Sequence, residues 1–483
     1  MSKHGLAAVH WLLPLGLLAC GGGAGSAHEP SAEPGSGGSA MGGQSPVVAG
    51  APNLQGGGAS HGGAANNAMA GSVAASGAGG ASGMGGASTM AGASTGGSAA
   101  MAGASAMAGA SAMGGSSATA GTSGMAGSSG SPGGAADGTG APATSPGGYG
   151  KATTGGGNAA PVVANSLAAL QAAIDAYQSG GLVLRYTGKF DFSSITDPCK
   201  QHTLPAQTVE IKNKSDITIL GEQGSSANFG IHIAAASSNV IVRNMTIGLT
   251  PGGADSDIVS IEGMSGGSPK DIWLDHNELF TSLATCAGAG DTAFDGMIDV
   301  KKGADNITAS YNYMHDHHKV SLNGFSDSDD QVRHITFDHN LFENIGSRAP
   351  LQRHGYSHLL NNYFLKVDTS CINVRMDGYA LVEANFFEQV VNPVTARDSD
   401  AIGFWDLRGN NLASAADVAP GNRFGISWTA GSTGTVNATA WTTTAAYPVA
   451  LGYSYTPQPF QCIHDGLRAA AGAGKGLVTL KCK

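Results

Sequence analysis

One short unit recurs along this 483-residue chain and narrows the fold more than any other feature: a run of alternating, mostly β-branched residues that closes on asparagine. It is read in Ile217-Thr218-Ile219, Val240-Ile241-Val242-Arg243-Asn244, Ile272-Trp273-Leu274-Asp275-His276-Asn277 and Ile307-Thr308-Ala309-Ser310-Tyr311-Asn312. It returns in Ile335-Thr336-Phe337-Asp338-His339-Asn340, Leu359-Leu360-Asn361-Asn362 and Leu381-Val382-Glu383-Ala384-Asn385. The closing asparagines follow one another at 33, 35, 28, 22 and 23 residues. A base unit of about 22 residues, with insertions in the earlier intervals, predicts an all-β solenoid with long loops on one side. Asparagine tolerates left-handed φ and can bond to its counterpart one turn away, so a stacked asparagine is expected at each corner. A β-sandwich would instead show tight hairpin turns between successive strands, a pattern these units lack.

Ahead of the repeats, Leu167, Leu170, Ile174 and Tyr177 share one face of a segment running from Asn165 to Tyr177, with a polar cap before it and Gly180-Gly181 after it. This spacing predicts a helix. A solenoid's open end would expose core groups and strand edges, so the helix is expected to cap it.

The first 147 residues read differently. Lys3 precedes the apolar run Trp11 to Ala19, which is too short to span a bilayer and has the anatomy of a signal peptide over residues 1–20. Leu17-Leu18-Ala19-Cys20 resembles a bacterial lipobox, implying cleavage before Cys20 and acylation of its thiol, with membrane contact through that lipid alone. An ordinary secretory signal is the alternative, and both readings export the protein, to the cell surface, the outer membrane or the medium. Residues 21–147 are almost entirely Gly, Ala, Ser, Met and Thr, with no Lys or Arg. Such a stretch cannot offset its chain entropy by burial and is expected to be a tether, leaving 148–483 as one folded domain, expected to be monomeric.

Ser347 to Phe364 carries the chemistry: Arg348 and Arg353 flank Pro350. Guanidinium groups are rigid forks suited to carboxylates, and proline pushes the preceding Ala349 towards extended geometry, so the pair reads as an anion clamp. Upstream stand Asp255 and Asp257, W273-L-D-H-N277, F294-D-G-M-I-D-V-K-K-G303 and H318-K-V-S-L-N-G324; downstream stand I372-N-V-R375 and N392-P-V-T-A-R-D398. Asp255 and Asp257, two apart, share one face of an extended segment. Asp295 and Asp299 would lie about 13 Å apart if extended, so a bend at Gly296 or an intervening water must close the gap for them to share an ion. Four carboxylates with no neighbouring His or Cys cluster make a hard oxygen site, which favours calcium over a transition metal.

In order and spacing these motifs resemble the pectate lyases of the pectate/pectin lyase superfamily, over roughly Tyr149 to Lys483. The resemblance implies a right-handed parallel β-helix and calcium-assisted β-elimination of polygalacturonate. It implies ligand roles for Asp255, Asp257, Asp295 and Asp299, and one for Asp291 at a second, substrate-dependent ion. Well-known members carry Glu where this chain has Asp295, a methylene shorter. Lys319 matches the family's substrate-binding lysine, Arg353 its carboxylate-binding arginine, and Arg348 the residue that removes the C5 proton. Guanidinium hardly deprotonates in water, but neighbouring cations disfavour its charged form, so alkaline activity is expected. The resemblance also pairs Cys199 with Cys286 and Cys462 with Cys482, leaving Cys371 reduced.

His317, His318 and His354 offer a conventional base, which would predict a neutral optimum. Asp275, His276, Met376, Trp405 and Asn410-Asn411 read as scaffold and rung packing. The chain's net charge is −10; Lys3 contributes +1 and Glu29, Glu33 and Asp137 contribute −3, so the folded part carries −8. Nucleic acid is therefore not an expected partner, and a polyanionic substrate needs local cations at its site. Three rivals remain: a polygalacturonase-type hydrolase working through paired carboxylates, a pectin lyase acting on methylated substrate, and a non-catalytic polysaccharide-binding surface protein.

Overall fold

The computed structural model describes residues 136–253, 256–290 and 292–483. The expected signal peptide, Cys20 and residues 21–135 of the expected tether lie outside these residues, as do Asp255 and Asp291.

Among the described residues the repeats form three long sheets of ten, nine and seven strands. Each turn of the coil visits all three: Asp305–Ser310 lies in the ten-strand sheet, Tyr313–Lys319 in the seven-strand sheet and Ser321–Asn323 in the nine-strand sheet, before His334–Asp338 begins the next turn. Neighbouring strands are parallel, apart from Val436–Asn437, which closes the nine-strand sheet antiparallel to Val394–Ala396. This is a right-handed parallel β-helix, the sense that such crossovers adopt. Alternation in each strand sends Ile217, Val240, Ile272, Ile307 and Ile335 inward in one continuous row, all buried. Phe342, Phe364 and Phe387 stack in the interior with centroids 4.9 Å apart. The helix Leu167–Ala176, capped by Ser166, buries Leu170 and Ile174 against this core and packs on the first strands.

The asparagine stack is present, one residue off the expected register at its start. Asn277, Asn312, Asn340, Asn362, Asn385 and Asn410 form the ladder, each at most 3% exposed. Asn312 Oδ1 accepts from both the backbone N (3.0 Å) and Nδ2 (2.9 Å) of Asn277, while Asn312 Nδ2 donates onward to Asn340 Oδ1 (2.9 Å) and to the Leu274 carbonyl (3.0 Å). The same four bonds repeat at Asn340, Asn362 and Asn385. Left-handed φ belongs to the residue before each ladder position: His276 (51°), Tyr311 (51°), His339 (56°), Asn361 (54°) and Ala384 (54°). Asn244, read as a ladder member, occupies that preceding position with φ 58°, and Met245 takes the ladder step. Left-handed φ disfavours ordinary side chains by about 1–2 kcal/mol each. The bonded amides offset it, and His276, Tyr311 and His339 stack face to face at 4.8 and 4.7 Å.

The boundary at Gly148 needs correction. Residues Ala136–Pro142 form a strand antiparallel to Val478–Cys482, a two-strand ribbon against the helix Phe460–Ala470. Arg243 Nη2 donates to the Ala143 carbonyl (2.8 Å) and Thr308 Oγ1 to that of Gly147 (2.8 Å). The folded domain thus extends ahead of the expected boundary, at least to Ala136. Both expected disulfides are formed, Cys199–Cys286 and Cys462–Cys482, and Cys371 is a buried thiol whose pKa burial raises. A chain beginning at Ala136 is expected to melt with the full-length protein, and one beginning at Gly148 about 5 °C lower or more, by calorimetry. Equal melting of the two would show that the ribbon contributes nothing.

Candidate active site

The corner between the seven- and nine-strand sheets gathers the charged motifs. Asp257 precedes the strand Val259–Glu262, and Asp299 lies in the adjacent strand Ile298–Lys301, opposite Ser260. Asp295 ends the long connection from residue 281, just ahead of that strand. One carboxylate oxygen from each of the three lies within 4.8 Å of the others, so the gap expected of an extended chain is closed. The chain bends at Met297, and Gly296 contributes space: a Cβ there would sit 2.0 Å from Asp299 Oδ1. Gly296 N donates to Asp257 Oδ1 (3.1 Å) and Leu322 N to Asp299 Oδ1 (3.0 Å).

Sequence reading assigned no role to Lys301, yet its Nζ lies 2.6 Å from Asp257 Oδ2 and 3.5 Å from Asp299 Oδ2. The period-two spacing of Asp299 and Lys301 was the available signal, since it puts both on one strand face. Burial opposes the Lys301 charge, and Asp257, Asp299 and Asp295 outweigh burial, so its pKa is raised. Burial first, then repulsion from Asp257, pushes Asp295 up to about 6, against the pull of Lys301, Lys319 and Arg348. The same two causes hold Asp299 well above the usual carboxylate range, with Lys301 and Arg348 opposing them.

Lys319 ends the strand Tyr313–Lys319 and pairs in register with Ser347, the residue before Arg348. Arg348 has φ 64°, and its carbonyl accepts from Ser321 N at 2.8 Å. The Ala349–Pro350 peptide is cis and sits in a turn, where an extended segment was expected. Ala349 N donates to the Cys371 carbonyl (2.9 Å) and the Pro350 carbonyl accepts from Asn373 N (3.0 Å), so the following turn holds this dipeptide while the preceding one holds Arg348 through Ser321. The fold therefore brings Asp257, Asp295, Asp299, Lys301, Lys319 and Arg348 into one charged cluster. Arg353 stands two strands further along the row of Lys301, buried, with Nε on Asp327 Oδ1 (2.6 Å) and Nη1 on the Gly324 carbonyl (3.1 Å).

The histidines are engaged elsewhere. Burial pushes His317 down to about 3, and its Nδ1 lies 2.5 Å from the Thr281 hydroxyl. His318 and His354 each donate Nε2–H to a carbonyl, of Leu283 (3.1 Å) and Asp327 (3.0 Å). Asp275 and His276 are fully buried scaffold, with Asp275 accepting from Arg243 and Ser310. Trp405 packs in the core, Asn410 takes the last described ladder step, and Asn411 Oδ1 accepts from Phe387 N.

Residues 101–476 match the family model described as pectate lyase. The chain belongs to the pectate lyase family. It is 53% identical to pectate lyase II from Xanthomonas campestris, whose structure superposes with a TM-score of 0.65 over 69% of this chain and 99% of that one. Pectate lyase B of Dickeya chrysanthemi is 46% identical over 307 residues, 62% of this chain and 79% of that protein. Two structures of pectate lyase C are also similar. A variant in complex with pentagalacturonic acid is 40% identical (TM-score 0.63, covering 69% and 98%). The protein from Erwinia chrysanthemi at pH 9.5 with 30 mM Ca2+ is 39% identical (TM-score 0.64, covering 69% and 98%). As a member of the pectate lyase family, the protein is a polysaccharide lyase.

The crowding of carboxylates has a measurable consequence. A carboxyl whose folded pKa exceeds its unfolded value of about 3.9 opposes folding as pH rises through that interval, because the folded state then binds more protons than the unfolded state. In a chelator, Asp299→Asn should therefore melt above the parent at pH 7 to 8 and level with it near pH 4. No difference at pH 8, or a lower melting temperature there, would contradict this account of the pocket.

Proposed function

We propose that the protein cleaves α-1,4-linked polygalacturonate by calcium-dependent β-elimination, with Arg348 accepting the C5 proton. The observation that carries this reading is the placement of Arg348 and Lys319 against the Asp257–Asp295–Asp299 pocket. The pocket fits the ion: ligands bonded at about 2.4 Å can lie at most about 4.8 Å apart, and every donor is a carboxylate. Asp257, Asp295 and Asp299 would hold it, with Asp255 beside them and Asp291 at a second ion. When bound, calcium would draw electron density from the substrate carboxylate and so acidify the neighbouring C5–H. Lys319 and Arg353 hold uronate carboxylates in place. Arg348 takes the C5 proton, the C5 electron pair forms the C4–C5 double bond, and the C4–O bond breaks; the departing oxygen takes a proton from water, so one fragment leaves with a free hydroxyl and the other as a 4,5-unsaturated oligogalacturonate. The similarity to pectate lyase C, whose structures contain pentagalacturonic acid or Ca2+, supports the substrate and the ion. The acidic pocket favours this substrate over methylated pectin.

The lipobox-like Cys20 supports export with a lipid anchor; detergent-phase partitioning that survives Cys20→Ser would refute the anchor.

Two results decide the chemistry. EGTA should abolish formation of the conjugated, ultraviolet-absorbing product, and calcium but not magnesium should restore it, because magnesium keeps its waters and demands a tight octahedron. Full activity after exhaustive chelation would reject the ion. Arg348→Lys should lower kcat about a thousandfold or more with little change in KM, as expected for a group acting on the reacting proton. Near-native turnover in that variant, with His318→Ala or His354→Ala inactive, would transfer the role of base to imidazole.

A further inference from the structure

We propose that Asp327 is the positioning residue of the substrate-binding arginine, and that the loop 324–333 is built to hold it there. The inference rests on the reading that Arg353 binds a uronate carboxylate.

A guanidinium binds a carboxylate well only if its planar fork is turned to the right angle, and a long side chain must be held to keep that angle. Arg353 is held at two points, Nε by the Asp327 carboxylate and Nη1 by the Gly324 carbonyl. These fix the plane and occupy two of the three nitrogens. Nη2 carries no hydrogen bond among the described residues and is the nitrogen left to meet a ligand.

The loop that supplies both partners is itself fixed from inside. Asp329 accepts from Lys302 N (3.0 Å) and Phe325 N (3.1 Å) and bonds Arg333 Nη1 (2.8 Å); both side chains of this ion pair are at most 1% exposed. Arg333 Nη2 donates to the carbonyls of Asp329 (2.8 Å) and Arg353 (3.0 Å), tying the loop to the backbone of the arginine it serves. His354 Nε2 donates to the Asp327 carbonyl (3.0 Å) from the other side. Gly324 has φ 98°, and a Cβ there would meet Arg333 Nη2 at 2.6 Å and Arg353 Cβ at 3.0 Å, so only glycine lets the loop close on the arginine. A buried ion pair is a poor source of net stability but a good way to specify one shape. Here that shape sets Asp327, whose own side chain is 41% exposed, on Arg353 Nε.

The test compares Asp327→Ala, Asp327→Asn and Arg353→Lys, with initial rates on polygalacturonate and thermal melting for each. Asp327→Ala should raise KM about tenfold with kcat within about twofold and the melting temperature unchanged, the signature of lost ground-state binding. Asp327→Asn, which keeps an oxygen for Nε, should restore most of the native KM. An unchanged KM in Asp327→Ala would overturn the proposal. So would a lowered KM, which would make Asp327 a competitor of the substrate, or a joint fall in kcat and melting temperature, which would make its role structural. Arg353→Lys separates the two readings: if it leaves KM unchanged, the assignment of Arg353 itself has failed.

Discussion

The structure depends on a file of buried amides. Each ladder asparagine is withdrawn from water with two donors and an acceptor to satisfy, and each is satisfied by the turn before and the turn after. An unpaired buried polar group of this kind costs about 1–3 kcal/mol. Neighbouring turns can therefore meet at one height and one phase only. The ladder also absorbs unequal repeat lengths. Between Asn277 and Asn312 the chain runs 35 residues and between Asn340 and Asn362 only 22, yet both pairs are one step apart.

That fixed pitch is what makes a site out of scattered residues. Asp257, Asp299, Lys319 and Arg348 span 92 positions of sequence and converge because each leaves the coil at a similar point of its own turn. Extra length is diverted into connections such as 281–297, which carries Asp295 to its partners without disturbing the strands. The result is a pocket where like charges are held together against their preference. Lys301 compensates in part, while burial first and the remaining repulsion second raise the pKa values of Asp295 and Asp299.

Much of this was legible in the sequence, for identifiable reasons. Periodicity marked the strands because one face of each is buried, and the charged motifs were conspicuous by type and order. The ladder register was misjudged by one at Asn244, because asparagine is at home both in the stack and in the left-handed position before it. Lys301 escaped notice because a lysine beside an acidic motif looks like a solvated one until the fold shows it half-buried between two aspartates. The strand Ala136–Pro142 has no apolar alternation at all. Its place comes from backbone pairing with residues more than 330 positions away, which composition cannot reveal. Asp327 and Asp329 sit in the run S326-D-S-D-D330, where nothing local distinguishes the exposed acid from the buried one.

The ribbon of Ala136–Pro142 on Val478–Cys482 also decides how the domain meets mechanical force. A pull on residue 136 reaches the domain through this strand, whose partner is bound to the helix Phe460–Ala470 by the Cys462–Cys482 bridge. Tension directed along the strand loads its hydrogen bonds together, in shear, instead of opening them singly from one end. The covalent bridge passes that load to the helix and, through Ile463 and Leu467, to the cluster that includes Leu341 and Tyr363 on the outside of the coil. A drag applied at residue 136 would thus be spread over the starts of the strands Leu341–Ser347 and Tyr363–Ser370, at the far end of the strand that leads to Arg348.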